Sequence, residues 1–201
     1  MSILRATAFF DAPNLFHRSK DAFDHQHANF DPLALHAAVC AAQGWAAHSV
    51  RYYTGVPSRQ VMPDARSEWD RRLLSLTRQG VLCVTRPLRH TVLVAGEVIT
   101  REKGIDVRVA LDLVSTARQK AWDVAVVYSE DQDLAEAIAD VWEIAREQSR
   151  RVELWSAFPE NLRQVRYRQI KGTRPFVLSE ALYNACLDPR DYRPKHLRGT
   201  T

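Results

Sequence analysis

The feature that most constrains this chain is a regular alternation. Short runs of strand-forming apolar residues are separated by longer segments with apolar residues at helical spacing, and that pattern reads as an α/β fold around a mostly parallel sheet. ATAFF (Ala6 to Phe10) is the first strand. A loop carrying Phe16, Phe23 and Phe30 follows, and then Asp31-Pro32, an N-cap with proline at the first helical position, opens LALHAAVCAA, which stops near Gly44. SVRYY (Ser49 to Tyr53) is the second strand. Pro63-Asp64 leads into a helix with Trp69, Leu73 and Leu76 on one face, closed by Gly80, and VLCV (Val81 to Val84) is the third strand.

TVLVAGEVIT, with an Ala95-Gly96 turn, reads as a hairpin excursion. From Asp106, the residues Val107, Ala110, Leu111 and Val114 form the expected buried stripe of the next helix. DVAVVY (Asp123 to Tyr128) is apolar nearly throughout, as a strand covered on both faces should be. The acidic turn SEDQD separates it from a helix presenting Leu134, Ile138, Val141, Trp142 and Ala145, and RVELW (Arg151 to Trp155) is the fifth strand. FVLSEALYNACL suggests one more strand and a Ser179-capped helix before a polar tail.

Composition narrows the class. With 46% hydrophobic and 26% charged residues the chain has the means to build a core, so disorder is excluded. No segment nears the roughly 20 apolar residues of a membrane helix, and the apolar run before Asp11 is too short for a secretory signal, so a cytoplasmic protein is expected. Cys40, Cys83 and Cys186 are odd in number and widely spaced, which argues against both a disulfide framework and a zinc knuckle. The net charge of +4 is unevenly spread: RQVRYRQIKGTR (Arg163 to Arg174) holds Arg163, Arg166, Arg168, Lys171 and Arg174 with no acid, a composition that favours a polyanion.

In a doubly wound sheet, every parallel strand ends and every following helix begins along one edge. Asp11 follows the first strand, Asp106 opens the helix before the fourth, and Asp131 and Asp133 follow the fourth. If the strand order reverses between strands one and four, these acids face one another across the crevice. Gathered carboxylates repel strongly without a counterion, and an all-oxygen set suits Mg²⁺ or Mn²⁺. The same acids also fit ordinary capping: Asp133-x-x-Glu136 matches a capping box, and Asp31 and Asp106 can each open a helix. A cap at Asp133 leaves Asp131 without a local task. Asp112 stands four residues after Arg108 and is placed to pair with it. Arg51, Arg101 and Lys103 are further candidates for phosphate contacts, and His25 and His27 form an H-x-H pair without a third ligand in view.

FFDAPNLF (Phe9 to Phe16), EKGIDVRVALDLV (Glu102 to Val114) and VVYSEDQDL (Val126 to Leu134) together resemble the three signatures of the NYN family, a branch of the PIN-like nucleases. RYYTGVP (Arg51 to Pro57) is similar to the family's second-strand end. The likeness spans residues 5 to 158, so residues 1–158 are expected to form the nuclease domain and 159–201 a C-terminal extension packed on or tethered to it. The resemblance implies a PIN-like three-layer fold with a five-stranded sheet of order 3-2-1-4-5 and metal-dependent hydrolysis of RNA, single-stranded or structured. It further implies that Asp11, Asp106, Asp131 and Asp133 hold Mg²⁺ or Mn²⁺ and that Asn14 and Ser129 line the site. The basic residues from Arg163 to Arg174 are candidates to contact backbone phosphates, and Tyr167 among them reads as a packing residue ahead of one that stacks a base. The chain departs from the family pattern at Ala12 and Glu130, where glycine is usual, and at Leu134, where an aromatic is common. A non-cleaving RNA-binding module of the same fold is the alternative, and a metal-dependent phosphatase a more distant one, because Asp11-Ala12-Pro13 lacks the second acid of that class. A homodimer or a protein partner is left open.

Overall fold

The computed structural model describes residues 3–25, 29–92, 98–101, 103–161 and 169–197. Its strands are β1 (Arg5–Asp11), β2 (Ala46–Val56), β3 (Leu82–Pro87), β4 (Arg89–Val92), β5 (Val98–Arg101), β6 (Val124–Tyr128), β7 (Glu153–Pro159) and β8 (Arg174–Leu178). Its helices are α1 (Ala12–Phe23), α2 (Pro32–Gln43), α3 (Pro63–Arg78), α4 (Ile105–Arg118), α5 (Ala135–Glu147) and α6 (Glu180–Ala185). The central sheet has six strands in the order β3-β2-β1-β6-β7-β8, every neighbouring pair parallel, and β4 and β5 form a separate antiparallel hairpin.

The expected order 3-2-1-4-5 is thus present with one strand more. The sixth is β8, which pairs with β7 from Trp155↔Arg174 to Pro159↔Leu178, and the Ser179 side chain caps α6 by accepting from the Leu182 amide. The hairpin lies where the sequence placed it; its turn, 93–97, falls outside the described residues, as do His27, Arg163, Arg166, Tyr167 and Arg168.

Period-two alternation assigns the two faces of the sheet. Ala8, Phe10, Tyr52, Val126 and Tyr128 belong to the core under α1, α2, α3 and α6, whereas Phe9, Tyr53, Ala125 and Val127 belong to the core under α4 and α5. On the first face Phe10 stacks on Tyr128 with centroids 3.8 Å apart, and Arg72 lies 5.6 to 5.9 Å from the rings of Phe30, Tyr52 and Trp69.

Two elements differ from expectation. The loop after the first strand is helix α1, which buries only Ala12, Leu15 and Ser19 along its length, too narrow a face to read as an apolar stripe. Helix α4 turns the other way: Ile105, Val109, Leu113, Thr116 and Ala117 are buried, while Val107 and Leu111 are more than half exposed. Both faces of this helix carry apolar residues at helical spacing, and the sheet takes the one with the continuous i, i+4, i+8 row.

Candidate active site

Asp11 ends β1 in register with Tyr53 of β2, and the preceding Phe10 pairs with Tyr128, the last residue of β6. One step further along each strand brings Asp11 and Ser129 together: the Ser129 hydroxyl donates to Asp11 Oδ2 at 3.2 Å. Ser129 Oγ also accepts from the Asp131 amide at 3.1 Å, so one buried hydroxyl joins the end of β1 to the acidic turn. Asp11 is the N-cap of α1, its Oδ1 accepting from the Asn14 amide at 3.2 Å. Asn14 Oδ1 in turn accepts from the Glu130 amide at 3.2 Å and fastens the turn to α1.

Asp11 is 5% exposed, and its carboxyl is pushed up from the ordinary 3.8 to about 6. Burial is the main cause, opposed by the hydrogen bonds from Asn14 and Ser129 and reinforced by the charges of Asp131 and Asp106. Asp106 stands in the first turn of α4, behind Gly104, which takes a left-handed φ of 82° at the N-cap. Asp11 thus feels the charges of acids from two other segments at the carboxyl edge of the sheet. The amino ends of α1 and α4 lie at the same edge, where their dipoles favour negative charge.

The acidic turn caps itself differently from expectation. Asp131, not Asp133, supplies the cap: its Oδ1 accepts from the Asp133 amide at 3.0 Å at the head of a single 3₁₀ turn, Gln132–Leu134, that runs into α5. Asp133 is exposed within that turn, and Asp106 caps no helix end. Asp31 does cap α2, accepting from the Leu33 and Ala34 amides. Local capping thus accounts for one oxygen of Asp131 and leaves its Oδ2 for other ligands.

Glu130 is buried and paired: its Oε2 lies 3.0 Å from Arg18 Nε. It is absent from the residues with positive φ, so the position usually held by glycine in the family needs no left-handed backbone here. Arg18 follows Asn14 by four residues on α1, and recognising that helix would have placed the arginine over the turn. Asp112 is occupied by the scaffold, receiving Tyr53 Oη at 2.9 Å, Arg51 at 3.4 Å and Arg108 at 3.0 Å. Arg51 is thereby drawn to Asp112, and His25 to Asn184 at 2.9 Å.

The basic residues divide. The Lys171 amide donates to Gln132 Oε1 at 3.2 Å, which brings Lys171 beside the acidic turn. Arg174 lies apart, over the Trp155 ring and 3.9 Å from Glu153; its register partner Trp155 is level with Val126 and Ala8, three residues upstream of Asp11.

The donors suit a divalent ion. Asp11, Asp106 and Asp131 offer hard oxygens only, and a cation would offset both the burial that chiefly raises the Asp11 carboxyl and the smaller repulsion from Asp131 and Asp106. Among the described residues, no three His, Cys, Asp or Glu side chains are already drawn together closely enough to hold an ion.

A protein of unknown function from Vibrio parahaemolyticus, solved by crystallography, superposes with a TM-score of 0.52 over 89% of this chain and 93% of that chain, at 16% identity. At that identity the likeness concerns the fold alone. No curated protein matches the chain. No helix among the described residues is long and apolar enough to cross a membrane. The family model of the NYN domain matches residues 5–170, most of the chain and all of the segments that carry Asp11, Asn14, Asp106, Ser129, Asp131 and Asp133. On that match, joined to the parallel sheet and its strand order, the chain belongs to the NYN domain family and has its PIN-like nuclease fold.

Proposed function

We propose that the protein is a metal-dependent ribonuclease that hydrolyses RNA phosphodiester bonds. Asp11, Asp106 and Asp131 would hold Mg²⁺ or Mn²⁺, with Asp133 ligating through water or positioning the attacking water. When bound, such an ion supplies an activated water and neutralises charge on the scissile phosphate. The observation that supports this reading is that the buried Asp11 carboxylate is tied to the acidic turn through Ser129, whose hydroxyl bonds Asp11 and accepts from the Asp131 amide, with the charges of Asp131 and Asp106 also felt at Asp11. Membership in a family whose members are generally nucleases supports it further.

The chain's own groups have distinct tasks. Above about pH 6 Asp11 is mainly ionised and ready to ligate. Ser129 spends its hydroxyl on Asp11 and Asp131, so it orients the acids rather than the substrate. Asn14 braces the turn through its carbonyl and keeps its NH₂ as a donor for a phosphate oxygen. Arg18 answers the charge of Glu130, so the extra acid adds no unpaired negative charge in the path of the RNA. Arg163, Arg166, Arg168 and Lys171 take the backbone phosphates.

The test is incubation of labelled single-stranded RNA with Mn²⁺ and either the wild-type protein or Asp131→Asn. Cleavage by the wild type, reduced about a hundredfold or more in the variant, is the expected outcome. Binding by both with cleavage by neither would leave an RNA-binding module in place of the nuclease.

A further inference from the structure

Gln132 stands between the two acids of the turn, and its side chain serves another part of the chain. Its Nε2 donates to the Glu130 carbonyl at 3.1 Å and to the Gln169 carbonyl at 3.0 Å, while its Oε1 accepts from the Lys171 amide at 3.2 Å. A primary amide presents one acceptor beside its donors, so it meets the carbonyl of one residue and the N–H two residues on, as a neighbouring strand would. The residue between them, Ile170, points inward: it is fully buried in the core under α4 and α5, and its amide donates to Ser156 Oγ at 3.1 Å. Two further bonds hold the same limb, from Trp142 Nε1 to the Gly172 carbonyl at 3.0 Å and from Thr173 Oγ1 to the Ile170 carbonyl at 2.7 Å. An exposed glutamine ordinarily keeps its rotamer freedom, and ordering it in this way requires several simultaneous bonds.

We propose that Gln132 is a positioning residue that latches the limb carrying Lys171 to the acidic turn, holding Lys171 where it binds the RNA backbone beside Asp131 and Asp133. The inference rests on the ribonuclease reading above and adds to it the device that presents a phosphate-binding group next to the acids. Lys171 is the described basic residue of that limb nearest the turn, and in sequence it stands three residues after Arg168. Removing the amide frees the limb without removing any charge. Its effect therefore falls on RNA binding and not on the chemical step.

Gln132→Ala and Gln132→Met test the latch; the second keeps the length of the side chain, loses its donors and acceptor and adds no charge. Fluorescence anisotropy with a single-stranded RNA of about 20 nucleotides, in the absence of divalent metal, gives affinity, and Mn²⁺-dependent cleavage gives KM and kcat separately. For both variants Kd and KM are expected to rise about tenfold, as the loss of two or three net hydrogen bonds would give, with kcat at saturating RNA within about twofold of the wild type. Amide hydrogen exchange at Lys171 is expected to accelerate. Faster exchange at Lys171 with unchanged RNA affinity overturns the proposal, as does a loss confined to kcat. A wild-type protein that binds no RNA overturns the ribonuclease reading and the inference together; one that binds but does not cleave leaves affinity alone to decide.

Discussion

At the scale of single residues, Asp11 carries opposed demands. Folding buries it among other acids, so it binds its proton more tightly in the native protein than in the unfolded chain, at about 6 against 3.8. Ionising it therefore costs stability: the penalty is absent below about pH 4 and grows as pH rises through 6. Integrated, a shift of that size corresponds to roughly 3 kcal/mol at neutral pH. Asp11→Asn is accordingly expected to stabilise the metal-free protein by about 1–3 kcal/mol at pH 7.5, with the gain vanishing near pH 4, as read by urea denaturation at the two pH values. The same substitution abolishes the Mn²⁺-dependent rise in thermal midpoint expected of the wild type. Neither the sign nor the size of this effect was legible in the sequence, because it depends on burial and on the approach of Asp106. What the sequence did show was the residue itself, an acid placed directly after a buried strand.

Among elements, packing decides what spacing leaves ambiguous. Helix α1 was hidden because it buries only Ala12, Leu15 and Ser19, too few apolar positions to form a stripe, and with it went Arg18, whose pairing with Glu130 depends on where that helix lies. Helix α4 was visible, but apolar residues on both sides made its buried face undecidable without the sheet. The acidic turn was visible as a cap, and only the hydrogen bond from the Asp133 amide shows that Asp131 supplies it. A glycine marks the junction where the limb held by Gln132 turns into β8. Gly172 has φ +90°, and a Cβ there would meet Ile138 Cγ2 of α5 at 3.0 Å, whereas Gly80, at φ +89°, has open space around it. Backbone strain is common to both positions and crowding belongs to one. Gly172→Ala is expected to cost about 1–3 kcal/mol more than Gly80→Ala in chemical denaturation. Equal losses would show that α5 gives way without cost.

For the whole molecule, the reversal of strand order between β1 and β6 does the assembling. It is a property of topology, which spacing alone does not supply; the family resemblance implies it, and the sheet shows it with β8 added at the edge. That sixth strand was legible as the run FVL before Ser179 but had no partner until β7 was seen to extend to Pro159. The basic segment was legible as charge, while its division into Lys171 beside the acids and Arg174 over Trp155 followed only from the register of β8. Topology, burial and charge together support the central proposal that Asp11, Asp106 and Asp131 form a single divalent-metal centre. The direct measurement is anomalous diffraction from crystals soaked in Mn²⁺. Density is expected with oxygens of Asp11, Asp106 and Asp131 at roughly 2.0–2.6 Å, within the range for oxygen ligands of hard divalent ions. Saturating Mn²⁺ that leaves no density there, with those carboxylates still more than about 6 Å apart, would contradict the claim, since no common first shell spans that distance.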